Sequence, residues 1–189
     1  SLVNDARVTT GAANTKFGTG SVSLDGSDYF TLPLNDNLVM GSGDFTWEMF
    51  FKYGLPGYND AYLIDQRNTT TQVALAVYIQ GSTDTVQFYV SGAARITSAV
   101  LPQTENWHHF ALVKYNNSTK IYINGNQTGA AYSDTNDYIV PGVTYFGTRF
   151  SLTAHFPGQM DEIRVTKGFA RYTANFTPMT AASGNKSPG

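Results

Sequence analysis

The alternation of apolar and polar residues favours β-strands along the whole chain. Short runs rich in Val, Ile, Thr, Tyr and Phe are separated by Gly, Asn, Asp and Pro roughly every eight to twelve residues. No long stretch has the 3.6-residue period of an amphipathic helix. The predicted strands are residues 21–26, 29–33, 45–53, 61–67, 73–80, 85–92, 94–99, 107–115, 120–127, 144–148 and 158–166. This number of short strands predicts an all-β fold, a two-sheet antiparallel sandwich.

The stretch NWHHFALVKYNNSTKIYINGNQTG, residues 106–129, contains two adjacent histidines. Successive side chains of a strand point to opposite faces, so His108 and His109 cannot both reach one metal ion without a bulge. Both faces of this strand also carry apolar residues, which indicates an interior strand. The pair Asn124 and Gly125 predicts a tight hairpin, because a type I′ turn needs positive φ at both central positions. The stretch therefore reads as two successive hairpins rather than a metal centre.

Composition excludes several classes of function. Charged residues make up 14% of the 189 residues, and the formal net charge is -2, so nothing draws the chain to nucleic acid or anionic lipid. The absence of cysteine excludes disulfides, thiolate catalysis and cysteine-based zinc sites. No run approaches the roughly 18 apolar residues of a membrane span, so we expect no membrane insertion.

The length and uniform composition predict one domain over residues 1–178. Residues 179–189 are small and polar, with Gly and Pro, and are predicted to form a flexible tail or linker. The segment RVTKGFARYTANF, residues 164–176, interleaves basic and aromatic residues. We expect it to wrap over the open end of the sandwich.

Three parts of the sequence resemble one family. Residues 106–129 resemble its Trp-x-His-x-Ala signature followed by a Tyr-x-Asn-Gly hairpin, residues 16–33 and 41–53 resemble its opening strands, and residues 156–178 resemble its closing strand. The family is the concanavalin A-like lectin/glucanase superfamily, in particular its laminin-G-like (LamG) branch. The resemblance implies a jelly-roll sandwich that binds glycans or proteins through its loops or concave sheet. Family members often carry a further strand before the segment that begins at Lys16, so the N-terminal edge is expected to be short or completed by another chain.

The resemblance also frames the question of catalysis. Glucanases of this superfamily carry their catalytic carboxylates as Glu-x-Asp-x-Glu or Glu-x-Asp-x-x-Glu on one strand. The three glutamates here, Glu48, Glu105 and Glu162, form no such array. We therefore expect no enzyme activity, and Glu48 is interpreted as an outward-facing or hydrogen-bonded carboxylate.

A structural calcium ion ties the first and last strands together in many of these sandwiches. The resemblance assigns Asp161, and with it Asp25, as candidate calcium ligands. The alternative is that Asp25 forms an Asx-turn and that Asp161 bonds Arg164 or backbone amides.

Two loops combine tyrosines with Asp and Asn, residue types suited to sugar rings and hydroxyls. They are residues 53–62 and 131–142, and Arg67 and Arg149 are expected to add donors if their strand ends lie nearby. The candidate ligand-binding residues are Tyr58, Asp60, Tyr62, Arg67, Tyr132, Asp134, Asp137 and Arg149. The alternative is that these loops contain ordinary turn residues.

The sequence thus predicts a non-catalytic carbohydrate-binding or adhesion module on a virion, as tail fibre or capsid surface, or on a bacterial surface protein. The ending RVTKGFARYTANFTP, which is similar to versions in phage structural and bacterial surface proteins, motivates that setting. The expected partner is a glycan or host-surface polysaccharide, and the expected location is extracellular or on the virion surface. The alternative is a structural or decoration subunit of a phage particle that packs against neighbouring subunits without binding sugar.

Overall fold

The structure is a computed structural model that describes residues 1–54, 59–102 and 106–182. Within these residues the chain forms fourteen β-strands and one short 3₁₀ turn, Asp36–Leu38. The strands are β1 (Leu2–Val3), β2 (Arg7–Thr9), β3 (Ser21–Asp25), β4 (Tyr29–Leu32), β5 (Phe45–Tyr53), β6 (Ala61–Asp65), β7 (Ala76–Gln80), β8 (Thr85–Val90), β9 (Ala93–Val100), β10 (Trp107–Tyr115), β11 (Ser118–Ile123), β12 (Asn126–Ser133), β13 (Thr144–Phe146) and β14 (Pro157–Lys167).

The described strands form two antiparallel seven-stranded sheets. Sheet A has the order β1-β4-β13-β6-β7-β8-β9, and sheet B has the order β12-β11-β10-β5-β14-β3-β2. The predicted all-β jelly-roll sandwich is confirmed. No helix within the described residues has the length and apolar character needed to cross a membrane.

The core lies between the sheets, and β5 contributes its largest side chains. Phe45, Trp47, Met49 and Phe51 alternate along β5, point inward and are almost completely buried. β5 pairs with β10 on one side and β14 on the other, so it lies at the centre of sheet B. Burial of a side chain of this size contributes roughly 1.5–3 kcal/mol. This packing fixes which residues of the neighbouring strands face outward.

The two predicted hairpins are present. Asn116 and Asn117 link β10 to β11 with φ of 48° and 60°. Asn124 and Gly125 link β11 to β12 with φ of 51° and 80°. Strand pairing closes directly around each pair of residues, as expected for two-residue turns.

The two adjacent histidines lie on opposite faces of β10, as predicted. The ring of His108 points inward, with its centroid 5.5 Å from that of Phe51. His109 points outward, and its Nε2 is 3.3 Å from Glu48 Oε2. His108 therefore packs in the core, and His109 makes a buried polar contact on the outer face of the sheet.

Three strands were not predicted. β1 and β2 have two and three residues and pair with β4 and β3, so the N-terminal residues supply an edge to each sheet. The further strand expected at the start of the fold is thus divided into two short strands. β12 takes up residues 131–133, which the sequence had suggested were the start of a loop.

Residues 168–178, which we call the C-terminal strap, cross the outer face of sheet B. Ala170, Tyr172 and Phe176 of the strap pack with apolar residues of β10 and β11. The rings of Tyr172 and Phe176 stack with centroids 3.5 Å apart, and the Phe176 amide donates to Gly125 O at 2.9 Å. The strap therefore covers the outer face of sheet B, not the open end of the sandwich as expected. Residues 183–189 of the predicted tail lie outside the described residues.

Candidate carbohydrate-binding face

Three tyrosines lie on the outer face of sheet A and form what we call the tyrosine face. Tyr62, Tyr78 and Tyr89 occupy β6, β7 and β8 at positions whose strand neighbours fill the core. Tyr62 pairs directly with Tyr78, and their rings stack with centroids 4.8 Å apart and planes 15° from parallel. The result is a row of aromatic rings on the side of the sheet away from the core.

A buried ion pair supports these rings. Arg67 donates from Nε and Nη2 to the two oxygens of Asp65, each at 2.8 Å, and its side chain is about 2% exposed. The guanidinium carbon is 4.6 Å from the Tyr89 ring centroid and 5.6 Å from that of Tyr62. Burial opposes the charge, but the hydrogen bonds and charge of Asp65 raise the pKa of Arg67 above its ordinary value. Arg67 therefore positions the tyrosines and has little surface of its own for a ligand.

Residues 149–155, which we call the bordering loop, run along the same side of the sheet. The Phe150 amide donates to Asp65 Oδ2 at 3.2 Å, and the Phe150 ring lies 5.5 Å from the Arg67 guanidinium carbon. The Arg149 guanidinium carbon is 5.2 Å from the Phe150 ring centroid. Arg149 is half-buried, and its Nε has no hydrogen-bond partner. The loop thus carries a cation to the border of the tyrosine face.

A groove opens at the end of the sandwich beside this loop. It has a volume of about 250 Å³ and is lined by Asp25, Gly26, Tyr53, Asn59, Thr153, His155 and Pro157. Tyr53 is 8% exposed, and its hydroxyl has no partner. The Nδ1 of His155 is likewise buried and unpartnered. The groove therefore lies beside two buried polar atoms that have no hydrogen-bond partner among the described residues.

A shallower depression adjoins this groove. It is lined by Asn59, Asp60, Ser82, Thr153 and Ala154, and so shares Asn59 and Thr153 with the groove. Asp60 accepts a hydrogen bond from the Gly81 amide at 3.2 Å and lies two residues before Tyr62. We call the groove and the depression together the end groove.

The hydroxyl of Tyr78 is a hydrogen-bond donor at neutral pH. Burial, followed by the charges of Tyr62 and Asp60, raises the pKa of Tyr78 to about 12. The tyrosine face therefore presents a neutral ring with a polar tip rather than a phenolate.

The structure brings together four of the predicted ligand-binding residues. Asp60 lies in the end groove, Tyr62 in the tyrosine face, Arg67 beneath it and Arg149 at its border. Tyr58, predicted with them, lies outside the described residues. Two separate segments, 59–67 and 149–155, thus contribute to one surface.

The other three predicted residues lie away from this surface. Asp134 is fully buried and accepts hydrogen bonds from Thr119 and Tyr138. Tyr132 lies in β12, half-buried, with its ring 6.3 Å from that of the core residue Phe88. Asp137 is exposed near Gly41. The segment 131–142 is therefore a strand end and a buried polar network more than a free loop.

The structure does not place the two candidate calcium ligands in one site. Asp25 Oδ1 accepts from the Ser27 amide and hydroxyl, which is the Asx-turn alternative. Asp161 Oδ2 accepts from the Lys16 and Phe17 amides, and its Oδ1 accepts from the Glu162 amide.

Asp25 pairs with Pro157, four residues before Asp161, so strand geometry separates the two carboxylates by about 13 Å. Within the described residues no group of three or more His, Asp or Glu side chains is arranged to hold a metal ion. These residues do not fit a shared calcium ion, and calcium binding stays a prediction.

Sequence reasoning missed Tyr78, Tyr89 and His155 of this surface, and it placed Tyr53 in the candidate loop 53–62 without naming it as a ligand-binding residue. A signal for two of them was present. In AVYIQ and TVQFYV, the positions that alternate with buried Val, Ile and Phe carry tyrosine where a solvent-facing polar residue is usual. The contribution of His155 depends on how the bordering loop folds back, which no local pattern encodes.

The fold and this surface define a lectin-like β-sandwich. A family model described as the concanavalin A-like lectin/glucanases superfamily (Laminin_G_3) matches residues 24–169. The chain belongs to that superfamily, as the sequence resemblance indicated. No curated protein sequence matches the chain significantly.

Solved structures with the same fold include sugar-bound domains. Domain 4 of the GH43 extracellular arabinanase AbnA from Geobacillus stearothermophilus, in complex with arabinotriose, is 17% identical, with a TM-score of 0.64 over 87% of this chain and 76% of that one. The CBM40 of Ruminococcus gnavus IT-sialidase bound to alpha2,3 sialyllactose is 13% identical, with a TM-score of 0.62 over 81% and 91%. At these identities the likeness establishes the fold.

Proposed function

We propose that this chain is a non-catalytic carbohydrate-binding module whose ligand lies on the tyrosine face and extends into the end groove. The observation that carries the proposal is the position of Asp60, which lines the end groove, directly precedes β6 and accepts from Gly81 at the end of β7, the two strands that carry Tyr62 and Tyr78. Membership of a lectin-like superfamily and the sugar-bound structures of similar fold support it.

The chemistry of the surface suits a sugar. A pyranose or furanose ring has an apolar face that packs on aromatic side chains, and its hydroxyls need donors and acceptors around the rim. Tyr78 and Tyr89 provide ring faces, while Tyr53 and His155 provide polar atoms that have no partner among the residues that the structure describes. Hydroxyls of a ligand in the end groove would satisfy these atoms and so offset the cost of burying them.

The proposal of a module without catalysis is supported by the glutamates. Hydrolysis of a glycosidic bond needs two carboxylates facing the same sugar. Glu48 lies on the outer face of sheet B, about 1% exposed and hydrogen-bonded to Arg164 and Tyr172. Glu162 lies in β14 of sheet B, and Glu105 lies outside the described residues.

For the biological setting we propose adhesion to a host-surface polysaccharide, with the domain displayed on a virion or on a bacterial surface protein. The resemblance of residues 164–178 to phage structural and bacterial surface proteins supports this setting. Such a module would act outside the cell, where polysaccharides are accessible.

A glycan array followed by calorimetry tests the proposed function. Tyr78→Ala and Tyr89→Ala are each expected to weaken binding of the best array ligand about tenfold, because a ring face is lost. Tyr115→Ala is the matched control, since Tyr115 is 46% exposed at the far hairpin between β10 and β11. Equal affinity in wild type and Tyr78→Ala, or an equal loss in Tyr115→Ala, would contradict the proposed site.

The second candidate, a structural subunit, has one observation in its favour. Leu2 in β1 and Val8 in β2 are 50% and 63% exposed on edge strands, where a neighbouring strand can add. An array without any ligand, together with concentration-dependent association in sedimentation, would favour this candidate over the first.

A further inference from the structure

Arg149 is unlike the other two arginines whose side chains are mostly buried. Arg67 donates to Asp65 at 2.8 Å, and Arg164 donates to Glu48 at 2.7 Å. Arg149 has no hydrogen bond or ion pair from its guanidinium to any described residue, and its buried Nε lacks an acceptor. Its guanidinium lies over the ring of Phe150, 5.2 Å from the centroid. A buried donor without an acceptor is costly, and a ligand carboxylate would supply both the missing acceptor and a counter-charge.

The position of Arg149 directs that charge at the proposed sugar site. The Arg149 guanidinium carbon is 5.2 Å from the Phe150 ring, and that ring is 5.5 Å from the Arg67 guanidinium carbon, which contacts Tyr89 at 4.6 Å. In agreement, the Arg149 charge is among the influences that lower the pKa of Tyr62, which burial raises. Arg67 is already neutralised by Asp65. The uncompensated positive charge at this border therefore belongs to Arg149.

We propose that the site selects a carboxylate-bearing sugar, a uronate or a nonulosonate, whose carboxylate pairs with the Arg149 guanidinium. This specificity rests on the proposed function and refines it. A guanidinium holds a carboxylate through two parallel N–H···O bonds, and such charge-assisted bonds are roughly twice as strong as those to a neutral hydroxyl. No described residue accepts a hydrogen bond from the side chain, so its rotation can align it with a ligand whose ring lies on the half-buried Tyr78 or Tyr89.

Asp60 opposes this preference from the other end of the surface. Its carboxylate lies in the end groove, and its charge is felt by the Tyr78 hydroxyl. An acidic sugar is therefore expected to bind with its carboxylate toward Arg149 and its uncharged hydroxyls toward Asp60. The two charges fix the direction of the sugar on the face.

The test uses matched pairs of sugars that differ in charge. Oligogalacturonate is compared with its methyl ester, and sialyllactose with lactose, by calorimetry at low salt on the whole chain. At least one acidic member is expected to bind about tenfold or more tightly than its neutral partner. In Arg149→Met that preference is expected to disappear, while in Arg149→Lys part of it remains. Arg7→Met, which removes an exposed charge from an edge strand of sheet B, is expected to change nothing.

Asp60→Asn provides an opposite readout that a folding defect cannot imitate. Loss of this charge is expected to raise affinity for the acidic sugar about twofold to threefold, because a like charge is removed. The amide oxygen can still accept from Gly81.

Equal binding of both members of each pair, or an unchanged preference in Arg149→Met, would overturn the inference and leave the proposed function intact. Binding of neutral glycans without binding of either acidic sugar would also overturn the preference for acidic sugars and leave the proposed function intact. Absence of binding to any glycan on the array would overturn both the preference and the proposed function.

Discussion

Replacing Asp134 by alanine is expected to destabilise the fold by about 3–5 kcal/mol, because it leaves a buried charge without its partner. Asp134 and Lys114 are both fully buried, with Lys114 Nζ 4.0 Å from Asp134 Oδ1. Thr119 and Tyr138 donate to Asp134 Oδ2 at 2.5 Å and 2.7 Å. Burial, together with the Asp134 charge, raises the pKa of Tyr138, which keeps its hydroxyl a donor.

Urea denaturation measures this loss of unfolding free energy. Two further variants test whether the loss comes from the unpaired buried charge. Lys114→Met alone is expected to lower the free energy of unfolding by a similar amount, because it leaves the buried Asp134 carboxylate without its counter-charge. The double variant Lys114→Met with Asp134→Leu is expected to cost much less than the sum, since an apolar pair avoids burying either charge. Asp137→Asn, three residues along and exposed, is the control and should stay within about 0.5 kcal/mol of wild type.

The same variants separate structure from binding. Because Asp134 lies away from the tyrosine face, the folded fraction of each variant is expected to bind glycan as wild type does. A loss below about 1 kcal/mol in Asp134→Ala, accompanied by lost glycan binding, would return Asp134 to the ligand-binding residues.

Removal of Glu48 is the second large effect that we expect. The carboxylate accepts from Arg164 Nε at 2.7 Å and Tyr172 Oη at 2.8 Å, and it faces His109 Nε2 at 3.3 Å. Glu48→Ala leaves the guanidinium without this partner beneath the C-terminal strap and is expected to cost about 3–5 kcal/mol. Tyr172→Phe, which removes only one donor, is expected to cost about 1 kcal/mol.

Acid offers an independent measurement of the same contact. Burial by itself raises the pKa of Glu48, but hydrogen bonds from His109, Arg164 and Tyr172 and the charge of Arg164 lower it from 4.5 to about 2. A carboxyl group whose pKa is depressed in the folded state contributes stability above its unfolded pKa. That contribution, about 3 kcal/mol, is therefore present above pH 4.5 and is lost as the pH falls toward 2.

Comparison of pH profiles tests this assignment. The difference in unfolding free energy between wild type and Glu48→Gln is expected to shrink between pH 4.5 and pH 2. Asp5→Asn, which alters an exposed carboxylate, controls for general acid effects. A difference that stays constant through that window would contradict the depressed pKa.

Local patterns were sufficient for most of the framework. β5 and β10 begin and end where their sequences predicted, because long alternating runs between turn residues leave little choice of register. The Asn-Gly turn followed from the need for positive φ, and the Asn-Asn turn of the first hairpin also has positive φ at both residues. β1, β2 and β12 were missed because two or three residues carry no period, and because β12 is polar on both faces.

The candidate site was only partly accessible to sequence reasoning. Tyrosine, aspartate and arginine near turns were recognised as ligand-type residues, and four of them meet on one surface. Nothing local distinguished Asp60 from Asp134, since each adjoins a strand end in a polar segment: Asp60 precedes β6 and Asp134 follows β12. Their burial depends on what packs above them: the buried Lys114 and Tyr138 enclose Asp134, while Asp60 borders an open groove.

The C-terminal strap also has a mechanical consequence for the adhesion that we propose. The strap is fastened to sheet B by Tyr172 at Glu48 and by Phe176 at the Gly125 turn. Tension applied to the chain beyond Phe176 would reach these fastenings first and peel the strap from sheet B before it loaded the opposite sheet. Under tension the strap would therefore detach before the tyrosine face changed its structure. The proposed ligand-binding surface would stay folded while the strap was pulled away from sheet B.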